Sequence, residues 1–191
     1  MNVSPMNFSS SSAVWQLAER VRRATVPARV WPWLINGSSL TQRLMAVCDQ
    51  PFSVRVLSQA WQRPYADEMH ALDQRSLGSA WVRQVQLRSG DRPWVFARTV
   101  IPRASLIGPN RRLTRLGSRP LGAALFADPT LERCAVEIAR LVPGNELFQL
   151  AVQGISTIPT EIWGRRSVFR VHGQPVLVSE IFLPGIPEAP T

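Results

Sequence analysis

The stretch Trp163–Pro184, WGRRSVFRVHGQPVLVSEIFLP, restricts the fold of this chain more than any other segment. Two alternating runs, Ser167–Val171 and Pro175–Leu183, flank His172-Gly173-Gln174. A Gly-centred connection of that length between alternating runs predicts a β-hairpin. Successive side chains of a strand point to opposite faces. Val176, Val178, Glu180 and Phe182 therefore share one face, and Leu177, Ser179, Ile181 and Leu183 the other. Glu180 is a lone charge in an apolar row. An unpaired carboxylate is costly to bury, so it needs a protein cation, an outlet to water, or a ligand. The pattern leaves all three open.

A second hairpin has the same peculiarity with the opposite sign. Trp81–Leu87 alternates, Ser89-Gly90-Asp91 is a turn, and Pro93–Pro102 is the returning strand. Trp81, Arg83, Val85 and Leu87 fall on one face, so Arg83 is the counterpart of Glu180. Arg98, between Phe96 and Val100, is a similar isolated charge. Isolated charges of opposite sign on strands that share a sheet point to a polar spot inside a dry cavity. Pro51–Trp61, with SVRVLSQAW, adds a further strand.

Around these strands the spacing predicts helices. Ser11 or Ser12 caps one running to about Ala24, with Val14, Leu17, Ala18 and Val21 in a stripe. Ser38 or Ser39 caps another through Val47, after the connector Trp31–Leu34. Ser118–Gly122 is a helix start with Pro in the first turn, whose free N–H groups suit a carboxylate. Asp128-Pro129 opens a helix to about Val142, with Leu131, Cys134, Ala135, Ile138 and Val142 facing inwards. Gln62–Ser79 is expected as a loop, and Ala104–Arg119 as a long loop of the kind that covers sites. Pro143–Thr160 has weak periodicity and looks like an insertion before the closing hairpin. The sum is an α+β single domain, an antiparallel sheet flanked by helices. Its 191 residues are enough for one core without disulfides or metals.

Composition excludes several chemistries. The net charge is +9, and all 22 basic residues are arginine, so Schiff-base catalysis by lysine is ruled out. The arginines are scattered and accompany no helix-turn-helix or zinc-finger spacing. Arginine also binds carboxylates in bidentate fashion, and a positive field draws in small polyanions. Cys48 and Cys134 are expected as two buried free thiols, and two histidines offer little for a metal centre or a hydrolytic triad. No GxxxxGK[ST] or GxGxxG motif occurs. No apolar run approaches the roughly 20 residues of a membrane span. Met1–Ser12 is Ser-rich and acid-free like a transit peptide, but Glu19 and the helical pattern after Ser12 favour an N-terminal arm.

The blocks WVRQVQLRSGDRPWVFARTVIP, LGSRPLGAALF and WGRRSVFRVHGQPVLVSEIFLP, in that order, resemble bacterial chorismate lyase. The likeness runs from about Trp31 to Pro184. It implies a chorismate lyase-like domain over 31–184, with 1–30 as an N-terminal arm or helix, 143–160 as an insertion and 185–191 as a Pro-rich tail. It implies elimination of the enolpyruvyl group of chorismate to give 4-hydroxybenzoate and pyruvate, the first step of ubiquinone synthesis. It further implies a cytoplasmic monomer without stable membrane insertion, no metal, no organic cofactor, no nucleic-acid partner, and a product-retaining cavity under two flaps. Matched residue by residue, the family's arginine for the ring carboxylate falls on Arg83 within WVRQ. Its backbone-contacting leucine falls on Leu121 within RPLG, and its site glutamate on Glu180 within SEIFLP. A pocket methionine of the family aligns with Leu40 within SSLTQRL, a change that keeps an apolar wall. The implied catalytic residues are thus Glu180 and Arg83, with Arg83, Leu121, Glu180 and Leu40 binding substrate or product. Arg98 or Arg165 is expected to take the pyruvyl carboxylate.

Three rivals remain. A non-catalytic sensing domain of the same fold would bind an aromatic carboxylate without turnover. A nucleic-acid binder is motivated by charge alone. A related chorismate-cleaving enzyme would release a different hydroxybenzoate.

Overall fold

A computed structural model of the chain describes residues 12–74 and 78–190. In chain order its elements are β1 (Gln16–Leu17), α1 (Trp31–Ile35), α2 (Leu40–Ala46), β2 (Phe52–Gln62), α3 (Ala66–Ala71), β3 (Ala80–Ser89) and β4 (Arg92–Pro102). There follow α4 (Leu121–Phe126), β5 (Glu132–Arg133), β6 (Glu137–Leu141), α5 (Glu146–Ala151), β7 (Ile162–Val171) and β8 (Gln174–Phe182). The strands form one antiparallel sheet in the order β1-β6-β7-β8-β4-β3-β2, with β5 also paired to β7. This is the expected α+β architecture.

Both expected hairpins form. Val171 pairs with Gln174, so the β7–β8 loop is the two residues His172 and Gly173, one shorter than expected. Both have positive φ, 51° and 72°, the backbone that matches the twist of a tight hairpin and that glycine adopts without strain. Register places the two faces of the sheet unambiguously. One cross-strand row runs Arg165–Glu180–Ala97–Val85, and its neighbour runs Ser167–Val178–Thr99–Arg83. Both rows lie on the front. The adjacent positions Arg166, Ser179, Arg98 and Gln84 form a row on the back.

Each face carries two apolar clusters with a polar seam between them. On the front, α1 and α2 bury Trp33, Leu34 and Leu44 against Val85, Leu87 and Phe182. Further along, Leu113, Leu116, Leu121 and Leu125 pack on Phe169 and Val178. On the back, Phe148 of α5 packs on Phe96 and Ile181, and Leu72 packs on Val82 and Leu177. Fully burying side chains of this size contributes roughly 1.5–3 kcal/mol each. Beyond β8 the chain returns to the front, where Trp33 Nε1 donates to the carbonyl of Pro187 at 2.9 Å.

Four expectations are corrected. The helix expected from Ser11 or Ser12 to Ala24 is absent over its described part: β1 pairs Gln16 with Ile138, and short 3-10 turns follow at Ala18–Arg20 and Arg23–Thr25. Ser11 lies outside the described residues. Trp15 explains the docking, for it donates to Asp67 Oδ2 at 3.1 Å and lies under the Arg166 guanidinium. The helix expected from Asp128 to Val142 is instead a turn, β5 and β6. Asp128 accepts from the N–H and hydroxyl of Thr130 at 3.0 and 2.6 Å, which closes a turn. The following backbone satisfies itself on the outer side of β7, a tertiary outcome that overrides helical spacing. Cys134 is consequently exposed and Cys48 only half-buried, both free, rather than buried in helices. Finally, the loop expected at Gln62–Ser79 contains α3, where Glu68 accepts the Tyr65 N–H at 2.9 Å; Arg75–Leu77 lie outside the described residues.

Candidate active site

Between the two front clusters the sheet, α2 and α4 enclose a cavity, and Arg83, Leu121, Glu180 and Leu40 all line it. Strand parity supplies Arg83 and Glu180 to the same face. Their Cα atoms are two strands and one row apart, about 12 Å from strand geometry, so they face one ligand space rather than each other. Leu121 opens α4 directly after Pro120, where the first N–H groups have no intrahelical acceptor. Gly122 brings that turn against α2: a Cβ there would lie 3.3 Å from Thr41 Oγ1 and 3.7 Å from Ser39 Oγ.

Arg83 is 2% exposed. Its Nη2 donates to the carbonyls of Gly117 at 2.9 Å and Arg119 at 3.0 Å, which fastens the end of the 103–119 segment to β3. Its Nε is buried without a partner, and no carboxylate pairs with it among the described residues. Burial alone draws its pKa below the ordinary arginine value, the mark of a cation held without a counter-charge. A buried guanidinium with a free donor edge is prepared for an anion.

Glu180 is differently placed. Its Oε2 accepts Arg165 Nε at 2.6 Å, while no protein donor reaches Oε1 among the described residues. Arg165 is itself 2% exposed and donates through Nη1 to the carbonyls of Trp33 at 2.8 Å and Asn36 at 2.6 Å. The end of α1 thus orients Arg165, and Arg165 orients Glu180.

Arg98 is excluded from this cavity. It lies on the back face, where Nε and Nη2 grip both oxygens of Glu68 at 2.6 and 3.0 Å and Tyr65 stacks on the guanidinium. The expectation that Arg98 receives a substrate carboxylate is corrected by register: Ala97, not Arg98, is the cross-strand partner of Glu180. Removing one member of so buried a pair costs roughly 3–5 kcal/mol, a structural role.

One charged lining residue escaped the sequence reading. Arg133 of β5 enters the cavity from beside Phe169, and no local signal distinguished it inside an expected helix. Three guanidiniums, Arg83, Arg133 and Arg165, thus face one carboxylate, Glu180, a surplus of two positive charges. Among the described residues no group of three or more His, Cys, Asp and Glu is placed to hold a metal.

The chorismate lyase family model matches residues 9–188. A probable chorismate pyruvate-lyase of Azoarcus sp. (strain BH72) is 43% identical over 192 residues, covering 97% of this chain and all of the relative. One of Aromatoleum aromaticum is 41% identical over 188 residues with the same coverage. Among solved structures, the effector domain of PhnF from Mycobacterium smegmatis superposes with a TM-score of 0.58 at 11% identity, over 78% of this chain and 91% of that one. The ligand-binding domain of a putative GntR-family regulator from Bordetella bronchiseptica gives 0.53 at 16%, over 75% and 91%. These two share the fold alone. With a family match across nearly its whole length and full-length relatives above 40% identity, the chain belongs to the chorismate lyase family.

Proposed function

We propose that this protein cleaves chorismate to 4-hydroxybenzoate and pyruvate, acting as a cytoplasmic monomer at the entry to ubiquinone synthesis. The observation that carries the reading is the surplus of two positive charges in a cavity whose other lining is mostly apolar. Chorismate is a dianion, and two cavity cations without counter-charges, Arg83 buried and Arg133 half-buried, suit two carboxylates. The relatives named probable chorismate pyruvate-lyase support the same substrate.

The chemistry asks little of the protein. Loss of the C4 proton supplies the electrons of a new C3–C4 double bond, and the C3–O bond breaks to release enolpyruvate. One proton leaves the ring and one is taken up as enolpyruvate becomes pyruvate, with no net oxidation. Aromatisation makes the step downhill, so orientation and stabilisation of the departing enolate are the main demands. The free edge of Arg83 and the amide of Leu121 hold the ring carboxylate. Glu180 Oε1, aimed by Arg165, accepts the C4 hydroxyl and stands where a base could receive the C4 proton. Leu40 supplies apolar wall beneath the ring.

Arg83→Ala and Glu180→Gln test these roles. A charge-assisted contact contributes about 1.5–3 kcal/mol, so each variant is expected to lower kcat/KM for chorismate by about 10²-fold while still folding. Wild-type turnover in both would remove the assignment.

A further inference from the structure

The enolpyruvyl arm needs its own receiver, because the ring carboxylate occupies Arg83; this inference rests on the lyase reading. The order of strands supplies the direction. Along β3, β4, β8 and β7 the polar groups of the front face appear as Arg83, then Glu180, then Arg165. Arg83 is two strands from Glu180, whereas Arg165 is its direct cross-strand partner. In chorismate the C4 hydroxyl is para to the ring carboxylate, and the enolpyruvyl ether sits on the next carbon. With the carboxylate on Arg83 and the hydroxyl on Glu180, the end of the ring that carries the hydroxyl and the ether is the end nearer β7.

Arg133 stands there. Its Nε donates to Ser167 Oγ at 3.1 Å and its Nη1 to the carbonyls of Gly37 at 3.0 Å and Asn36 at 3.4 Å. Arg165 Nη1 reaches the same Asn36 carbonyl at 2.6 Å, so the two guanidiniums are neighbours anchored on one oxygen. Nε and Nη1 of each are committed to protein acceptors, while Nη2 of each has no protein acceptor among the described residues. Two like charges held side by side, with one carboxylate of their own, form an anion receiver rather than a closed ion pair. The Arg133 pKa agrees in direction: burial lowers it first, then the charge of Arg165, with Glu180 opposing.

We infer that Arg133, with the free edge of Arg165, forms the subsite that binds the enolpyruvyl carboxylate and holds the C3–O bond over Glu180. Arg133 is therefore the residue that distinguishes substrate from product, since 4-hydroxybenzoate has lost the group it grips. Held there, the enolate released on C–O cleavage is stabilised by two cations before it is protonated to pyruvate.

The test compares two ligands on two variants. Arg133→Met is expected to lower kcat/KM for chorismate by about 10²-fold while the Kd for 4-hydroxybenzoate, by calorimetric titration, changes less than about 3-fold. Arg133→Lys, which keeps charge without the fork, should fall between Arg133→Met and wild type in chorismate turnover. A merely structural arginine would weaken both ligands together. Equal loss of 4-hydroxybenzoate affinity, or unchanged chorismate kinetics, overturns the subsite. Should Arg133→Met fail to give a cooperative thermal transition, Arg133→Lys must show the same selective loss against wild type, or the subsite falls. Wild-type protein that binds chorismate without converting it would refute the lyase reading instead, and the subsite would then stand or fall on whether Arg133→Lys weakens chorismate but not 4-hydroxybenzoate in the same titration.

Discussion

At the residue scale the site depends on a small side chain as much as on charged ones. Gly164 lies between Trp163 and Arg165 on β7, directly opposite Ile181. A Cβ there would fall 2.4 Å from Ile181 Cδ1, 3.2 Å from the Glu180 carbonyl oxygen and 3.4 Å from Leu141 Cδ1. The isoleucine methyl can rotate away, but the Glu180 carbonyl belongs to the β7–β8 ladder and moves only with its strand. Gly164→Ala is therefore expected to cost about 1–3 kcal/mol by overpacking and to lower kcat by displacing Glu180. Thermal melts and steady-state kinetics check this; a melting temperature and kcat equal to wild type would show that β8 yields freely. The glycine's requirement was invisible in WGRRS, because close approach by a neighbouring strand leaves no local trace.

At the element scale the turn at Asp128 joins pieces that the sequence kept apart. Its buried carboxylate binds Thr130, pairs with Arg112 of the segment that precedes α4 and lies 3.3 Å from His172 Nε2 in the β7–β8 turn. The Thr130 hydroxyl, then its N–H, hold the Asp128 pKa below the usual carboxylate value, with help from His172 and Arg112 against the effect of burial. A depressed folded pKa means that the unfolded chain binds the proton more readily, so stability rises with pH over this range. The contribution is complete above the unfolded value near pH 4 and is lost as pH falls through the folded one. Asp128→Asn should lower the melting temperature at pH 7 and flatten the fall in stability below about pH 4. Melting curves from pH 3 to 7 decide it, and a variant with the wild-type acid slope would contradict this role. The same turn explains why β5 and β6 were misread. Ile138 and Val142 have helical spacing, yet Asp128 spends its acceptors on Thr130 and the chain pairs with β7. The strands with strict alternation, β3, β4 and β8, were legible because a period of two has one meaning.

At the scale of the whole molecule, one sheet presents polar seams on both faces, and parity sorts them. Arg165 and Arg166 are adjacent in sequence but serve opposite faces: Arg165 aims Glu180, and Arg166 binds Glu137 and Asp67 at 2.7 and 2.8 Å behind it. Lone charges in apolar rows correctly marked Arg83 and Glu180 as members of one cavity. They could not tell that Arg98 closes on Glu68, because its acid comes from a helix that looked like loop. Nor could they supply Arg133, whose place depends on β5 pairing with β7. The two-charge surplus that results is the core of the functional account, and it predicts a substrate with two carboxylates. The most direct measurement is one incubation of the purified wild-type protein with chorismate, followed by chromatographic identification of every product. The account predicts 4-hydroxybenzoate and pyruvate in equal amounts matching the chorismate consumed. Chorismate bound but unchanged, or a hydroxybenzoate other than the 4-isomer, would contradict it.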